Sequence, residues 1–410
     1  MPVQRTHSDT WRQVMREPLL VTWAIYLALI PLYIFKSGLP QPGDVFVLIL
    51  IPLALRRWDG KLGRDMREAV RALIWFTLWI CLVNYTWVLV TGNVTMFGPD
   101  SFLLYPLYYV YNASIFLVAL VLFRRYGDVF LRVTVAVVIG TVLVQVLSAM
   151  VFRGGAGRGT LFFNNPNQLG YYALLAATLI ALTHRRLQLR LVISSIALVC
   201  CGLLAVISAS RAAAGGIALL LVFLLFSNPK VIVVAGLAAV VAISGVGPIA
   251  HAIDASQERV LNRSSHSDRT FFEERGYDRI WRNEKYLVLG AGEGGLSRFD
   301  DTAFVKNMEI HSSAGTVLFS YGIVGSILFL VFTWRVIRRA HVRLMVTLVP
   351  PLLYAGAHQG LRFTLLWVVL ATFVAIKDEA VKPRTGSLSG APVGVPVRPV
   401  TYGDFAAPSR

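Results

Sequence analysis

"EIHSSAGTVLFSYGIVGSILFLVFTW" (residues 309–334) joins a polar doorway to an apolar run. No side chain from Ser312 to Trp334 carries a charge. A helix of roughly 20 apolar residues crosses a bilayer, so the stretch is read as a transmembrane helix. Ser312 and Ser313 are natural N-caps for it. Directly before them stand Glu309 and His311, a carboxylate and a group that takes a proton near neutral pH. Two readings of His311 stay open here: a general base oriented by Glu309, or a residue that caps the helix and meets headgroups.

The pattern recurs along the chain. Of 410 residues, 56% are hydrophobic and 15% charged, against about 25% charged in a soluble domain. About twelve runs qualify as spans: 18–35, 43–55, 70–91, 102–123, 129–151, 168–183, 189–208, 212–227, 231–250, 312–334, 342–357 and 363–376. The second is short enough to be re-entrant. The expected fold is all-α and polytopic. It divides into an N-terminal segment 1–17, helices over 18–250, a long outward loop 251–311, helices over 312–377, and a tail 378–410. Pro, Gly and Ser make that tail a candidate for disorder.

The formal net charge is +17. In a soluble protein this suggests nucleic acid. Here the basic clusters "RRWDGKLGRDMR" (56–67), "RRYGD" (124–128), "HRRLQLR" (184–190), "WRVIRRAHVR" (334–343) and "KDEAVKPR" (377–384) fall in alternate loops. That distribution matches cytoplasmic loops, with both termini inside and no nucleic-acid partner. The first span lacks a cleavage site and is expected to remain as an anchor. Cys81, Cys200 and Cys201 lie in apolar runs and form neither a disulfide framework nor a zinc spacing. No metal or nucleotide motif is present: "GAGEGG" (290–295) is not a Walker loop, and it reads as turns returning Glu293 and the chain to the membrane. No cofactor is expected.

Cations on the outward side break the rule and so carry information. "SASRAAAGG" (208–216) puts Arg211 at the front of a span among small residues. There it is either an anion clamp or an arginine reaching lipid phosphate. "FRGGAGRGTLFFNNPNQLGYY" (152–172) holds Arg153 and Arg158 among glycines, to meet substrate or headgroups. Its "NNPN" reads as a turn with a helix cap, or as amides for sugar hydroxyls, Asn167 among them. "HQGLRF" (358–363) adds His358 and Arg362. The long loop is expected to form one or two short amphipathic helices around "FFEERGYDRIWRNEKY" (271–286).

Together "FFNNPNQLGYYALL" (162–175), "SASRAAAGG" (208–216), "LGAGEGG" (289–295) and "EIHSSAGTVLFSYGIVGSILF" (309–329) resemble the O-antigen ligase and polymerase superfamily of bacterial envelope proteins. The resemblance spans roughly residues 150 to 335. It implies transfer of a glycan from an undecaprenyl diphosphate carrier to an acceptor hydroxyl on the outer face of the inner membrane, without metal or nucleotide. It makes His311 the base and Arg211 a diphosphate ligand. Arg275, Arg279 and Arg282 become candidates for the loop arginines of such proteins. The implied acceptor is another lipid-linked repeat unit for a polymerase, or lipid A core for a ligase. Ser312 stands where ligases tend to carry asparagine, which favours the polymerase. Implied partners are membrane lipids, a flippase and a chain-length regulator. A transporter of polyprenyl-linked sugars is the alternative of another class. It would want ionisable residues in mid-membrane, and the spans hold few.

Overall fold

A computed structural model describes residues 14–36, 39–151, 159–227, 273, 275–299 and 309–380. Among these residues all regular structure is helical. In chain order the helices are α1 Pro18–Leu29, α2 Asp44–Arg56, α3 Arg64–Thr91, α4 Leu104–Tyr126, α5 Asp128–Val151 and α6 Pro166–Leu187. They continue with α7 Leu191–Ile207, α8 Arg211–Ser227, the short α9 Asp278–Arg282, α10 Ser313–Ile337, α11 Val342–Ala357 and α12 Thr364–Ala380.

Each run read as a span falls on a helix except 231–250, which lies outside the described residues, as does the tail from 381. Helix α1 stops at Leu29 where the sequence predicted 35. Pro31 follows, and the next residues turn back: Tyr33 N–H donates to the Phe162 carbonyl at 2.9 Å and Asn164 Nδ2 to that of Phe35. Four helices, α3, α4, α5 and α10, are each long and apolar enough to cross a membrane. Of the long loop the described residues hold α9 and two single turns, 284–286 and 296–298. The rest of the stretch expected to form amphipathic helices, including 271, 272 and 274, lies outside the described residues.

The buried centre is α6 and α12, which lie among the other helices and expose little side chain. Helix α3 shows the opposite pattern. Its Ile74, Trp75, Leu78 and Leu82 are exposed in a stripe, while Ala69, Leu73, Phe76 and Ile80 face the protein. Large apolar groups at helical spacing on the outside fit a lipid surface and not water. These observations make the chain a helical membrane protein.

The basic loops gather at one end of the bundle. Glu68 accepts from Arg335 at 2.9 Å and pairs with Arg338, and Asp65 pairs with Arg339 at 3.2 Å and Lys377 at 3.6 Å. Lys377 donates to the carbonyls of Arg335, Val336 and Arg338, capping the end of α10. Asp378 accepts the Asp65 N–H and caps the start of α3. Arg57 pairs with Glu17, and Arg186 with Asp128 and Glu379.

Helix α10 is broken at Gly322 (φ 67°, ψ −170°). The break frees carbonyls that an intact helix would use, and segment 287–292 takes them. Ala291 N–H donates to Phe319 O at 2.9 Å, Gly292 N–H to Ser320 O at 2.8 Å, and the Trp79 indole to Tyr321 O at 2.8 Å. In return Ile323 N–H donates to Leu287 O at 2.7 Å. A Cβ on Gly290 (φ 99°) would collide with Ser320, and one on Gly322 with Val288. The "GAGEGG" loop is therefore packed backbone to backbone against the broken helix.

Gly322→Ala and Gly290→Ala should each lower stability by about 2 kcal/mol or more. Gly140→Ala, in α5 with open space at its Cβ, should cost nothing. Thermal unfolding in one detergent compares the three, and equal midpoints would remove the argument for the break.

Candidate active site

The opposite end of the bundle carries the loops that lead into α4, α6, α8, α10 and α12. Arg362, just before α12, is its centre. The guanidinium stands between two carboxylates. Nε donates to Glu293 Oε1 at 3.1 Å and Nη2 reaches the same oxygen, while Nη1 meets Glu309 Oε2 at 2.9 Å. The Arg362 side chain is 20% exposed, Glu293 3% and Glu309 31%. The Tyr105 ring lies 4.4 Å from the guanidinium, and its hydroxyl donates to Glu309 Oε1 at 2.7 Å. Tyr321 donates to Glu293 Oε2 at 2.5 Å, and Gln359 Nε2 to Glu293 Oε1 at 3.3 Å.

Two local features hold Glu293. The glycine loop carries it to the broken helix, and Asn84, fully buried in α3, exchanges both backbone hydrogen bonds with it. Arg298 ties the same loop down, with its guanidinium 4.5 Å from the Trp87 ring centre and 4.7 Å from that of Phe102. Burial pushes the Arg298 pKa down to about 10. Arg362 is the reverse case: burial disfavours its charge, but Glu293 and Glu309 outweigh that and hold its pKa well above the ordinary value. For Glu309, burial pulls upward. The charge and hydrogen bond of Arg362, with the Tyr105 hydroxyl, win and hold its pKa below the usual 4.5. A space of about 20 Å³ between Arg279, Glu293, Glu309 and Thr316 has room for one water molecule.

His311 is exposed, one residue before the cap of α10. That cap is Ser312, whose hydroxyl accepts the Gly315 N–H at 3.1 Å. His311 Nδ1 lies 2.8 Å from the Glu309 carbonyl oxygen. A carbonyl only accepts, so Nδ1 is the donor in this contact, and Nε2 is the ring nitrogen it leaves for another partner. Glu309 thus orients the imidazole through its backbone, while its carboxylate is committed to Arg362. Arg275 brackets the histidine: His311 N–H donates to Arg275 O at 3.0 Å, and Arg275 Nη1 to His311 O at 3.2 Å and to His358 Nδ1 at 3.3 Å.

Arg211, the first residue of α8, is exposed at this same end. The small residues around it serve close helix packing. A Cβ on Gly170 would collide with Ser208 and Ser210, and one on Gly216 with Leu174. From Gly170 a chain of contacts runs to the histidine. Tyr171 stacks on Tyr354 at 4.6 Å, Tyr354 on His358 at 4.5 Å, and His358 meets Arg275.

The other sequence candidates divide. Arg279 is 1% exposed, with its guanidinium 5.2 Å from the Phe299 ring. Arg282 pairs with Asp278 at 3.4 Å, half-exposed. Asn167 gives its carbonyl to the Tyr354 hydroxyl, and the cap of α6 is Asn165. Arg153 and Arg158 lie outside the described residues. Sequence reasoning missed Glu293, Tyr105 and Gln359 as members of the site. The signal for Glu293 was its position as the one charge among glycines that permit close backbone approach. Among the described residues no three His, Cys, Asp or Glu side chains converge as a metal site. No protein-family model matches this chain, and no curated protein matches it.

Arg362→Gln should destabilise the protein by about 3 kcal/mol, because Glu293 is then buried without its cation. Adding Glu293→Gln should recover more than half of that loss, and a double variant as weak as the single would refute the pairing. The depressed Glu309 pKa adds stability that is complete above 4.5 and is lost as pH falls through the lower folded value. Glu309→Gln should accordingly flatten the acid side of a stability–pH curve below about pH 4.5.

Proposed function

We propose that this protein is an integral membrane glycosyltransferase that joins polyprenyl-diphosphate-linked oligosaccharide units into a surface polysaccharide. The observation that carries the reading is His311. Its Nδ1 donates to the Glu309 carbonyl and the residue is exposed, at the bundle end that also carries Arg211 and Arg275. In the proposed step the acceptor hydroxyl oxygen attacks the anomeric carbon. His311 Nε2 takes the hydroxyl proton. The bond from that carbon to the phosphate oxygen breaks, and the diphosphate leaves with the electron pair. Arg211 and Arg275 offset the charge that develops on it.

Arg362 has a different part in this reading. Two carboxylates already meet its donors, so it shapes the site, and diphosphate binding is assigned to Arg211, exposed at this end, and to Arg275 beside His311. The proposed topology has about twelve spans in a bacterial inner membrane, with the ion-pair cluster in the cytoplasm and His311 outside. The polymerase is favoured over the ligase by Ser312 after the histidine.

Reconstitution with the lipid-linked oligosaccharide alone, taken from cells that make this protein, tests the reading. A ladder of longer products is the expected result. Products that form only after lipid A core is added mean a ligase. Lipid movement across the bilayer without any new glycosidic bond means a transporter. His311→Ala and Arg211→Ala should keep the unfolding temperature and lower turnover by roughly 100-fold or more, and full activity in either would remove that residue from the step.

A further inference from the structure

A second space is lined in part by Arg362. Its volume is about 500 Å³, within the range of small-molecule sites. It opens between α1, α2, α4 and the segments 30–33, 39–43 and 96–104, at the same bundle end as the candidate site. Its walls include Tyr33, Tyr108, Phe97 and Met96, and at the far end Asp44 beside Tyr26 and Tyr111. The Tyr111 hydroxyl donates to Asp44 Oδ1 at 2.5 Å, and the Gln41 N–H donates to Oδ2 at 2.6 Å. Tyr26 and Tyr111 hydroxyls are 3.0 Å apart. Among the described residues Asp44 has no ion-pair partner. The rim is built rather than loose: Gln41 Oε1 accepts from Ile34 and Phe35 N–H groups, and its Nε2 donates to the Phe35 and Leu39 carbonyls.

The charges select the occupant. Arg362 is the cation of this cavity, and Glu293 and Glu309 already outnumber it. Asp44 adds another carboxylate at the far end. A diphosphate would meet like charge there without compensation. A purely aliphatic chain would cover Asp44 and two tyrosine hydroxyls without giving them a donor or acceptor. A neutral polyhydroxylated ligand meets both conditions. Its hydroxyls donate to the lone pairs that Asp44 retains after two bonds, and its C–H faces pack on the aromatic and apolar walls.

We propose that this cavity seats the acceptor glycan, a neutral oligosaccharide, whose reacting hydroxyl passes Arg362 and Glu309 toward His311. The assignment rests on the glycosyltransferase reading for its role in the reaction, but not for its ligand chemistry. It separates two substrates by charge: sugar hydroxyls on the Asp44 side, diphosphate on the Arg211 and Arg275 side.

The test is photocrosslinking of the full chain in lipid nanodiscs. p-Benzoylphenylalanine replaces Phe97, and the probe is the lipid-linked oligosaccharide extracted from the producing cells. After illumination, mild acid cleaves the bond between sugar and phosphate. The expected adduct keeps the oligosaccharide mass, and its yield falls at least tenfold in Asp44→Ala and at least threefold in the milder Asp44→Asn. An adduct that carries hydrocarbon only, no adduct, or a yield unchanged in both variants overturns the proposal. Product ladders from the unsubstituted protein are scored separately. A sugar adduct without any new glycosidic bond, with or without added lipid A core, keeps this site and sinks the transferase reading; a ladder with a hydrocarbon adduct does the reverse.

Discussion

Where a helix breaks away from water, its freed backbone groups must find partners in the protein. The break at Gly322 meets that demand with a loop brought in from outside the bundle. Phe319, Ser320 and Tyr321 give up their carbonyls to Ala291, Gly292 and Trp79, and Ile323 turns to Leu287. The site follows from that exchange. Glu293 is the next residue along the loop, and its backbone is pinned by Asn84. A carboxylate that deep is stable only with a cation, and Arg362 is held in place by supplying one. Arg362 in turn holds Glu309, and the Glu309 carbonyl accepts from His311 Nδ1. A backbone irregularity in α10 therefore reaches an imidazole just before the start of the same helix, by way of two other segments.

The two ends of the bundle use charge differently. At the end that gathers the basic loops, ion pairs and caps tie α3, α10 and α12 together through Glu68, Asp65 and Lys377. Those pairs serve the fold, since each cation has a carboxylate or a helix end as its partner. At the other end the described arginines differ in their surroundings, with Arg282 half-exposed and paired with Asp278. Arg362, Arg279 and Arg298 are enclosed by carboxylates or aromatic rings. Arg211 lies exposed and Arg275 sits beside His311.

The helices were legible because span length and lack of charge are properties of contiguous sequence. Ser312 as a cap and the Asn165–Pro166 start of α6 were legible for the same reason: capping chemistry is local. What was illegible depends on contacts between distant segments. "YGIVG" gave no sign that Gly322 adopts a positive φ, because an intact span also tolerates glycine. "GAGEGG" looked like turns, and the loop does turn, but its glycines are there for contact with α10, Trp87 and Phe102. Arg279 and Arg275 stand close together on one short segment with nothing local to tell them apart. The first is buried over Phe299 and the second lies beside His311.

A single guanidinium cannot both neutralise a buried carboxylate and receive a substrate's diphosphate without losing one partner. Arg362 has Nε and Nη2 on Glu293 and Nη1 on Glu309. Handing those donors to a phosphate would leave two carboxylates without their full pairing and in repulsive contact with the incoming anion. Arg275 meets different partners, the carbonyls of His311 and Ala357 and the His358 ring. Arg362 therefore belongs to the two carboxylates, and Arg275 is the arginine that meets the backbone of His311. In the proposed reaction, with His311 as the base, the donor's leaving group is drawn toward Arg211 and Arg275 and the acceptor's hydroxyls toward Asp44.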